Sequence, residues 1–344
     1  MPDFALLEKL CLATGVSGRE EDVRALILEE VASCTDSCET DALGNLIVFK
    51  RGAKRPAKKL MLSAHMDEVG FIVTGATGEG LLRFATVGGI DEKVLCGKSV
   101  TVGDRKLPGV IGARPIHLLK SDEREKAVPV EELTIDIGAK DREEALAAVF
   151  PGDTVCFVPN FIRSGKCILS KALDDRAGCA VLIELLRREL PFDMTFVFCV
   201  QEEIGLRGAK TAAYAVNPEA AIVVETTTAA DVSGVEEEKE VCRVGSGAVV
   251  SFMDRSTIYD PVYYRLALEA GREAGVKTQL KQATAGGNDA GAIHVSRAGV
   301  RTAAVSLPCR YLHSATGLIS AEDYDAVRET VWETARRIAG GEAE

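Results

Sequence analysis

Apolar runs at 60–64, 195–200, 221–224 and 302–307 are separated by segments whose apolar residues recur at helical spacing. Strands that alternate with helices in this way argue for an α/β sheet covered by helices on both faces. Amphipathic helices are expected at 4–11 and 20–31, where Leu6, Leu7 and Leu10, then Val23, Leu26, Ile27 and Val31, fall on one side. A strand is expected at 46–49, and further helices at 175–189, 206–215, 261–274, 288–297 and 321–339. The alternation lapses between 71 and 162. Glycines such as Gly75, Gly88, Gly103 and Gly112 punctuate short β-branched runs there, and helical signal is confined to 143–148. That rhythm marks a small β-barrel or sandwich. Because the α/β pattern resumes afterwards, the expected organisation is one mixed-sheet α/β domain formed by 1–70 and 163–344, with a β-rich domain inserted at 71–162. A chain of 344 residues exceeds what a single core usually spans, in keeping with that division. The basic run from Arg51 to Lys59 contains Gly52 and Pro56 and reads as the solvated tip of a hairpin.

Composition removes several classes of function. With 52 acidic residues against 41 basic ones the net charge is −11, which disfavours a nucleic-acid partner. No stretch approaches the ~20 apolar residues of a membrane-spanning helix. The N-terminus carries Asp3 and Glu8 where a secretion signal needs a cationic start and an apolar block. The ten cysteines are therefore expected to remain thiols in a reducing cytoplasm, and Cys34 and Cys38 lack the second pair of a zinc knuckle. Gly245-Ser-Gly247 has neither the lysine nor the spacing of a phosphate loop.

The chemistry gathers where the apolar runs end. His65 follows the run 60–64, and Asp67 lies two residues on, pointing to the same side of an extended chain. Such a pair suits an imidazole that binds a metal while the carboxylate orients it through its second nitrogen. Gln201-Glu-Glu-Ile-Gly205 follows the run 195–200, so that one carboxylate can ligate a metal while its neighbour handles protons on a bound water. Glu225 ends the run 221–224, and His313 comes soon after 302–307. Asp174 and Asp175 open a helix, where an N-cap with a first-turn carboxylate is the plainer reading. In open α/β sheets ligands collect beyond the carboxyl ends of strands. Carboxylates mixed with imidazoles there suit a pair of divalent ions such as zinc, cobalt or manganese. The remaining histidines, His294 within a helical segment and His117 in the β-rich block, read as structural.

Five ordered motifs make the pattern specific: Ser63-Ala-His-Met-Asp-Glu-Val-Gly70, Ala172-Leu-Asp-Asp-Arg-Ala-Gly178, Gln201-Glu-Glu-Ile-Gly205, Gly286-Gly-Asn-Asp-Ala-Gly-Ala-Ile-His294 and Arg310-Tyr-Leu-His-Ser314. In that order they resemble the tetrahedral aminopeptidases, the glutamyl and deblocking aminopeptidase family of dinuclear metallopeptidases, some of whose members carry the label endoglucanase. The resemblance spans nearly the whole chain. It implies that Asp174 bridges two metal ions, that His65 and Glu225 complete one site, and that Glu203 and His313 complete the other. It further implies Glu202 as general base and Asp67 as the residue that orients His65. Many members have Asp where this chain has Glu225, so its longer side chain changes the reach to that ion.

The function so implied is removal of N-terminal residues from peptides. Water held between two dications is acidified towards neutrality and becomes the nucleophile. Glu202 takes its proton and passes it to the departing amine. The resemblance also implies self-assembly, with dimers building a twelve-subunit tetrahedral shell through contacts of the inserted block. One rival keeps the two-metal site but acts on N-acyl amino acids, dipeptides or peptide C-termini. Another is a non-catalytic scaffold on the same fold, which the full set of metal and base positions argues against. A glycosidase would need two carboxylates flanking a sugar bond and would leave His65 and His313 without a role.

Overall fold

The computed structural model describes residues 4–121 and 124–342. Helices α1 (Ala5–Leu12) and α2 (Glu21–Val31) precede strands β1 (Ser37–Thr40), β2 (Leu46–Lys50) and β3 (Leu60–His65). The chain then enters β4 (Gly70–Ala76), β5 (Leu82–Val87), β6 (Ser99–Val102), β7 (Leu107–Gly112), β8 (Thr134–Asp136), helix α3 (Arg142–Ala148) and β9 (Thr154–Phe157). A hairpin of β10 (Phe161–Ser164) and β11 (Cys167–Ser170) leads to α4 (Leu173–Leu186). There follow β12 (Met194–Cys199), α5 (Arg207–Val216), β13 (Ala220–Thr228), β14 (Ala248–Val250), α6 (Pro261–Glu273), β15 (Thr278–Leu280) and α7 (Ala290–Ile293). The chain closes with β16 (Arg301–Cys309), β17 (Gly317–Ser320) and α8 (Ala321–Gly340).

The main sheet has the order β1-β2-β12-β3-β13-β16-β14-β15. Its centre, β12-β3-β13-β16, is parallel, while β2 and β14 join it antiparallel. Side-chain alternation divides the apolar residues of these strands between two cores. Leu62, Phe196, Ile222 and Val305 pack with α1, α2, α4, α6 and α8, whereas Met61, Val197, Val223 and Ala304 meet α5 and α7. Both faces are thus covered, as the apolar runs require. The second domain is a closed barrel in the order β4-β5-β8-β7-β6-β9. Phe71 fills its core, meeting Phe84 and Phe157 edge-on with ring centroids 5.2 and 5.3 Å away. A shift of register at Gly75 bends β4 along the barrel wall.

Several local expectations need correction. The basic run 51–59 is no hairpin tip, because β12 lies between β2 and β3 and pairs with both. Strand β13 continues past Glu225 to Thr228, since β16 pairs with it as far as Cys309. The helix expected at 288–297 shrinks to α7, ended by a left-handed Arg297 and by Gly299. Strands β1, β14, β15 and the β10-β11-β17 sheet escape notice in the sequence because each has three or four residues, too few to show a period. All ten cysteines are unpaired.

One buried ionic node ties together the segments that surround the sheet's carboxyl edge. Glu68, just beyond β3, accepts two hydrogen bonds of 2.8 Å from Lys171 Nζ and one of 3.1 Å from Arg176. Lys171 also donates to the Ala13 carbonyl, and Arg176 to the carbonyls of Leu10 and Met66. The side chains of Lys171 and Arg176 have no exposed surface. Removing the shared anion leaves two buried cations uncompensated. Glu68→Ala should therefore lower the unfolding free energy by about 3–5 kcal/mol. Urea titration followed by tryptophan fluorescence and circular dichroism checks this, and a loss below 1 kcal/mol would show that the node is not needed.

Candidate metal centre

Parallel pairing carries the strand ends to one place. In the β3–β12 register His65 lies opposite Cys199, so Asp67 and the segment Gln201–Glu203 leave the sheet side by side. The Asp67 carboxylate accepts from the backbone N–H of Glu202 (3.0 Å) and of Glu203 (3.1 Å), and from Ser17 Oγ (2.6 Å). The second imidazole nitrogen of His65, Nδ1, faces Asp67, 3.1 Å from its carbonyl and 3.3 Å from Oδ1. The other nitrogen, Nε2, then points at Asp174 Oδ1 (3.2 Å) and Glu225 Oε1 (3.4 Å).

The two adjacent aspartates divide their work. Neither has helical dihedrals, so the regular helix starts after them. Asp175 takes the capping role, with Oδ1 accepting from Gly178 N–H (3.0 Å) and Oδ2 from His65 N–H (3.3 Å). Gly178 permits this, because a Cβ there would sit 2.3 Å from the Asp175 carboxylate. Asp174 instead projects into the cluster, its Oδ2 3.2 Å from His313 Nε2 while its Oδ1 faces His65. Glu203 Oε1 is also 3.2 Å from His313 Nε2. Three overlapping groups thus have ligand atoms within 4.8 Å of one another: His65, Asp174 and Glu225; Asp174, Glu203 and His313; and His65, Glu202 and Glu203. All seven residues singled out in the sequence meet here.

The electrostatics explain what such a cluster needs. Burial pushes the pKa of Glu225 and Glu202 well above the usual carboxylate range, and that of Glu203 upward. Burial would lower His65, but Glu225, Asp174 and Asp67 outweigh it and hold the imidazole well above its ordinary value. The same contest brings His313 to about 11, with Asp174 and Glu203 as its partners. Two imidazoles cannot neutralise Asp174, Glu202, Glu203 and Glu225 together. A donor set of carboxylate oxygens and imidazole nitrogens, with Asp174 presenting one oxygen to each histidine, fits two divalent cations.

Some contributors carry no local signal. His313 Nδ1 is 2.8 Å from the carbonyl of Gly89, a residue of the barrel domain between β5 and β6. Glu20, only 3% exposed, accepts at Oε1 from Gly18 N–H (2.7 Å) and Gln201 N–H (3.2 Å). His294 and His117 stay outside, the first with Nδ1 2.7 Å from the Ala290 carbonyl and the second exposed.

Comparison with known proteins gives one consistent family. A family profile described as M42 glutamyl aminopeptidase matches residues 44–329. A putative aminopeptidase of Acetivibrio thermocellus is 40% identical over 322 residues, covering 93% of this chain and 94% of that protein. The crystal structure of a TET aminopeptidase from Thaumarchaeota archaeon SCGC AB-539-E09 superposes with a TM-score of 0.92 at 36% identity, covering 97% of this chain and 95% of the other. The TET1 peptidase of Pyrococcus horikoshii, which can assemble into a tetrahedron or a large octahedral shell, superposes with a TM-score of 0.83 at 35% identity, covering 97% and 98% of the two chains.

Glu20 offers a pH test of the wall behind the cluster. Burial raises its pKa from 4.5 to about 7, with Asp67 adding to the shift. Because the folded state holds the proton more tightly than the unfolded chain, this stabilisation is complete below pH 4.5 and is lost as pH rises through 7. Glu20→Gln keeps the one oxygen that accepts both hydrogen bonds and abolishes the titration. Relative to wild type, the variant should gain on the order of 2 kcal/mol between pH 5 and pH 8. Denaturant unfolding of both proteins at the two pH values measures the difference, and a constant difference would show that Glu20 titrates normally.

Proposed function

The chain belongs to the M42 glutamyl aminopeptidase family and is a peptide hydrolase, and on that premise we propose that it removes residues singly from the free N-terminus of peptides at a two-metal centre. The observation that supports this most is Asp174, with one carboxylate oxygen directed to His65 and the other to His313. His65 and Glu225 would hold one ion with Asp174, while Glu203 and His313 would hold the other. Zinc, cobalt and manganese all suit these donors. Two such ions would acidify water and polarise the scissile carbonyl.

The protein groups do the rest. Asp67 keeps the proton of His65 on Nδ1 and leaves Nε2 free to donate its lone pair. Glu202 takes a proton from the attacking water as the new C–O bond forms, then delivers it to the amine as the C–N bond breaks. Its pKa, raised by burial against the pull of His65 and with a contribution from Asp289, brings the carboxylate closer to the proton affinity that this exchange needs near neutral pH. Glu202→Gln should keep its metal, by elemental analysis, yet lose kcat ~10²–10⁴-fold. Chelation should abolish activity and cobalt or zinc should restore it, with mass spectrometry of a decapeptide digest showing an N-terminal ladder. Near-normal turnover of Glu202→Gln would give the base to another residue, and a C-terminal ladder would give the site another substrate.

Residues 1–70 and 163–344 are read as the catalytic domain and 71–162 as an inserted domain that also serves assembly. Gly89 supports this reading by tying the insert to His313. The assembly proposed is a closed shell of twelve subunits built from dimers, an enclosure that unfolded peptides enter and folded proteins do not. At 36.7 kDa per chain it should run near 440 kDa in light scattering with metal bound. A ~37 kDa monomer at micromolar concentration would overturn the shell and leave the single-chain metal site unaffected.

A further inference from the structure

The centre opens into a cavity of about 1020 Å³ whose wall includes Gly89, Glu203 and His313. Its two imidazoles are held in different ways. The His65 side chain is 1% exposed, and its partners Asp67, Asp174, Asp175 and Glu225 all belong to the main-sheet part of the chain. The His313 side chain is 32% exposed, so packing alone does not fix its ring. A carbonyl only accepts, so in the neutral ring the 2.8 Å contact with Gly89 puts the proton on Nδ1 and leaves the Nε2 lone pair facing Asp174 and Glu203. Gly89 belongs to the barrel. Ile90 and Val94, just beyond it, pack against the barrel core, and so does Ala315, two residues after His313. Asn160, in the link that leaves the barrel, donates to the Ala315 carbonyl and to Thr316 Oγ1, both at 3.1 Å. The loop that carries His313 therefore rests on the barrel.

Gly88 extends the contact. Its φ of +83° lies in the left-handed region, and a Cβ there would stand 2.8 Å from Val69 Cγ1 and 3.3 Å from Glu203 Cβ. The Gly88–Gly89 turn thus lies against Glu203 and binds the ring of His313, the two residues that with Asp174 would hold the second ion. Among the described residues, no hydrogen bond or ion pair joins the barrel to the side chains of His65, Asp67 or Glu225. We propose that the Gly88–Gly89 turn is a positioning element for the second ion alone: loading at Glu203 and His313 depends on how the barrel sits on the main-sheet domain, and loading at His65 and Glu225 does not. This inference rests on the two-metal reading above. The barrel thereby controls the reaction without supplying a ligand, because displacing the turn releases one ion of the pair and leaves the other in place.

The test titrates metal-free protein with cobalt(II) and reads calorimetry together with the visible absorption of the bound ion. His313→Ala marks the binding step that belongs to the second ion. Gly88→Ala strains the left-handed backbone and drives a methyl group into Val69, so the turn must shift. In this variant the second ion's step should weaken about 10- to 100-fold, the usual effect of losing a ligand's hydrogen-bond partner, while the other step keeps its wild-type affinity. Gly112→Ala, on a barrel strand where an added Cβ meets nothing within 4 Å, should leave both steps unchanged. Coupling is reciprocal, so a second measurement needs no variant and decides the matter if Gly88→Ala does not fold. In wild type, amide hydrogen exchange of residues 88–94 should slow when the second ion's step is filled and not when the first is. Equal weakening of both steps in folded Gly88→Ala, weakening of neither, or exchange of 88–94 that ignores the second ion would overturn the proposal alone. A wild type that saturates with a single ion per chain would overturn the two-metal reading and the proposal with it.

Discussion

Four carboxylates brought within a few ångströms of one another repel, and much of the structure around the sheet's carboxyl edge is organised to keep them there. Asp174, Glu202, Glu203 and Glu225 are half-buried or buried, and among the described residues His65 and His313 are the basic side chains that meet them at ion-pair distance. In a low-dielectric setting such a group holds together only by binding protons or cations. The upward shifts of Glu202 and Glu225 express that demand in protons. Divalent ions would meet it with far more charge per site, and their binding would release those protons.

The scaffold restrains these groups from behind. Parallel pairing of β3 with β12 aligns Asp67 with the N–H groups of Glu202 and Glu203, so one carboxylate positions both the His65 ring and the acidic turn. Glu68, the next residue, faces the opposite way into Lys171 and Arg176 and fastens the approach to α4, on which Asp174 sits. Consecutive side chains on one extended segment therefore serve the chemistry and the scaffold in turn. The barrel is not a passive passenger, because the Gly89 carbonyl fixes the His313 ring and Gly89, Asp91, Val94 and Lys98 supply part of the cavity wall.

Charge is handled in opposite ways within the wall of one cavity. Around Asp174 carboxylates outnumber cations, whereas the buried Lys281 ammonium donates to the Ala285 carbonyl and has no carboxylate within ion-pair distance among the described residues.

Local patterns in the chain were enough to read the α/β alternation, the inserted β-rich block and the seven polar residues that gather at the strand ends, because periodicity and strand termini are properties of short segments. The resemblance to tetrahedral aminopeptidases extended those patterns to roles. What short segments do not contain is which elements lie side by side. The interposition of β12 between β2 and β3, the reach of β13 past Glu225 and the Gly89 contact of His313 all join residues far apart in sequence. The residues alone left Asp174 and Asp175 undivided and the resemblance selected Asp174; the dihedral angles at the entry to α4 are what send the two side chains different ways. Lys281 is the clearest case. As a letter in the chain it is one basic residue among 41, and only the tertiary structure decides that it is buried with no carboxylate within ion-pair distance among the described residues, since a missing partner is a statement about three-dimensional distances.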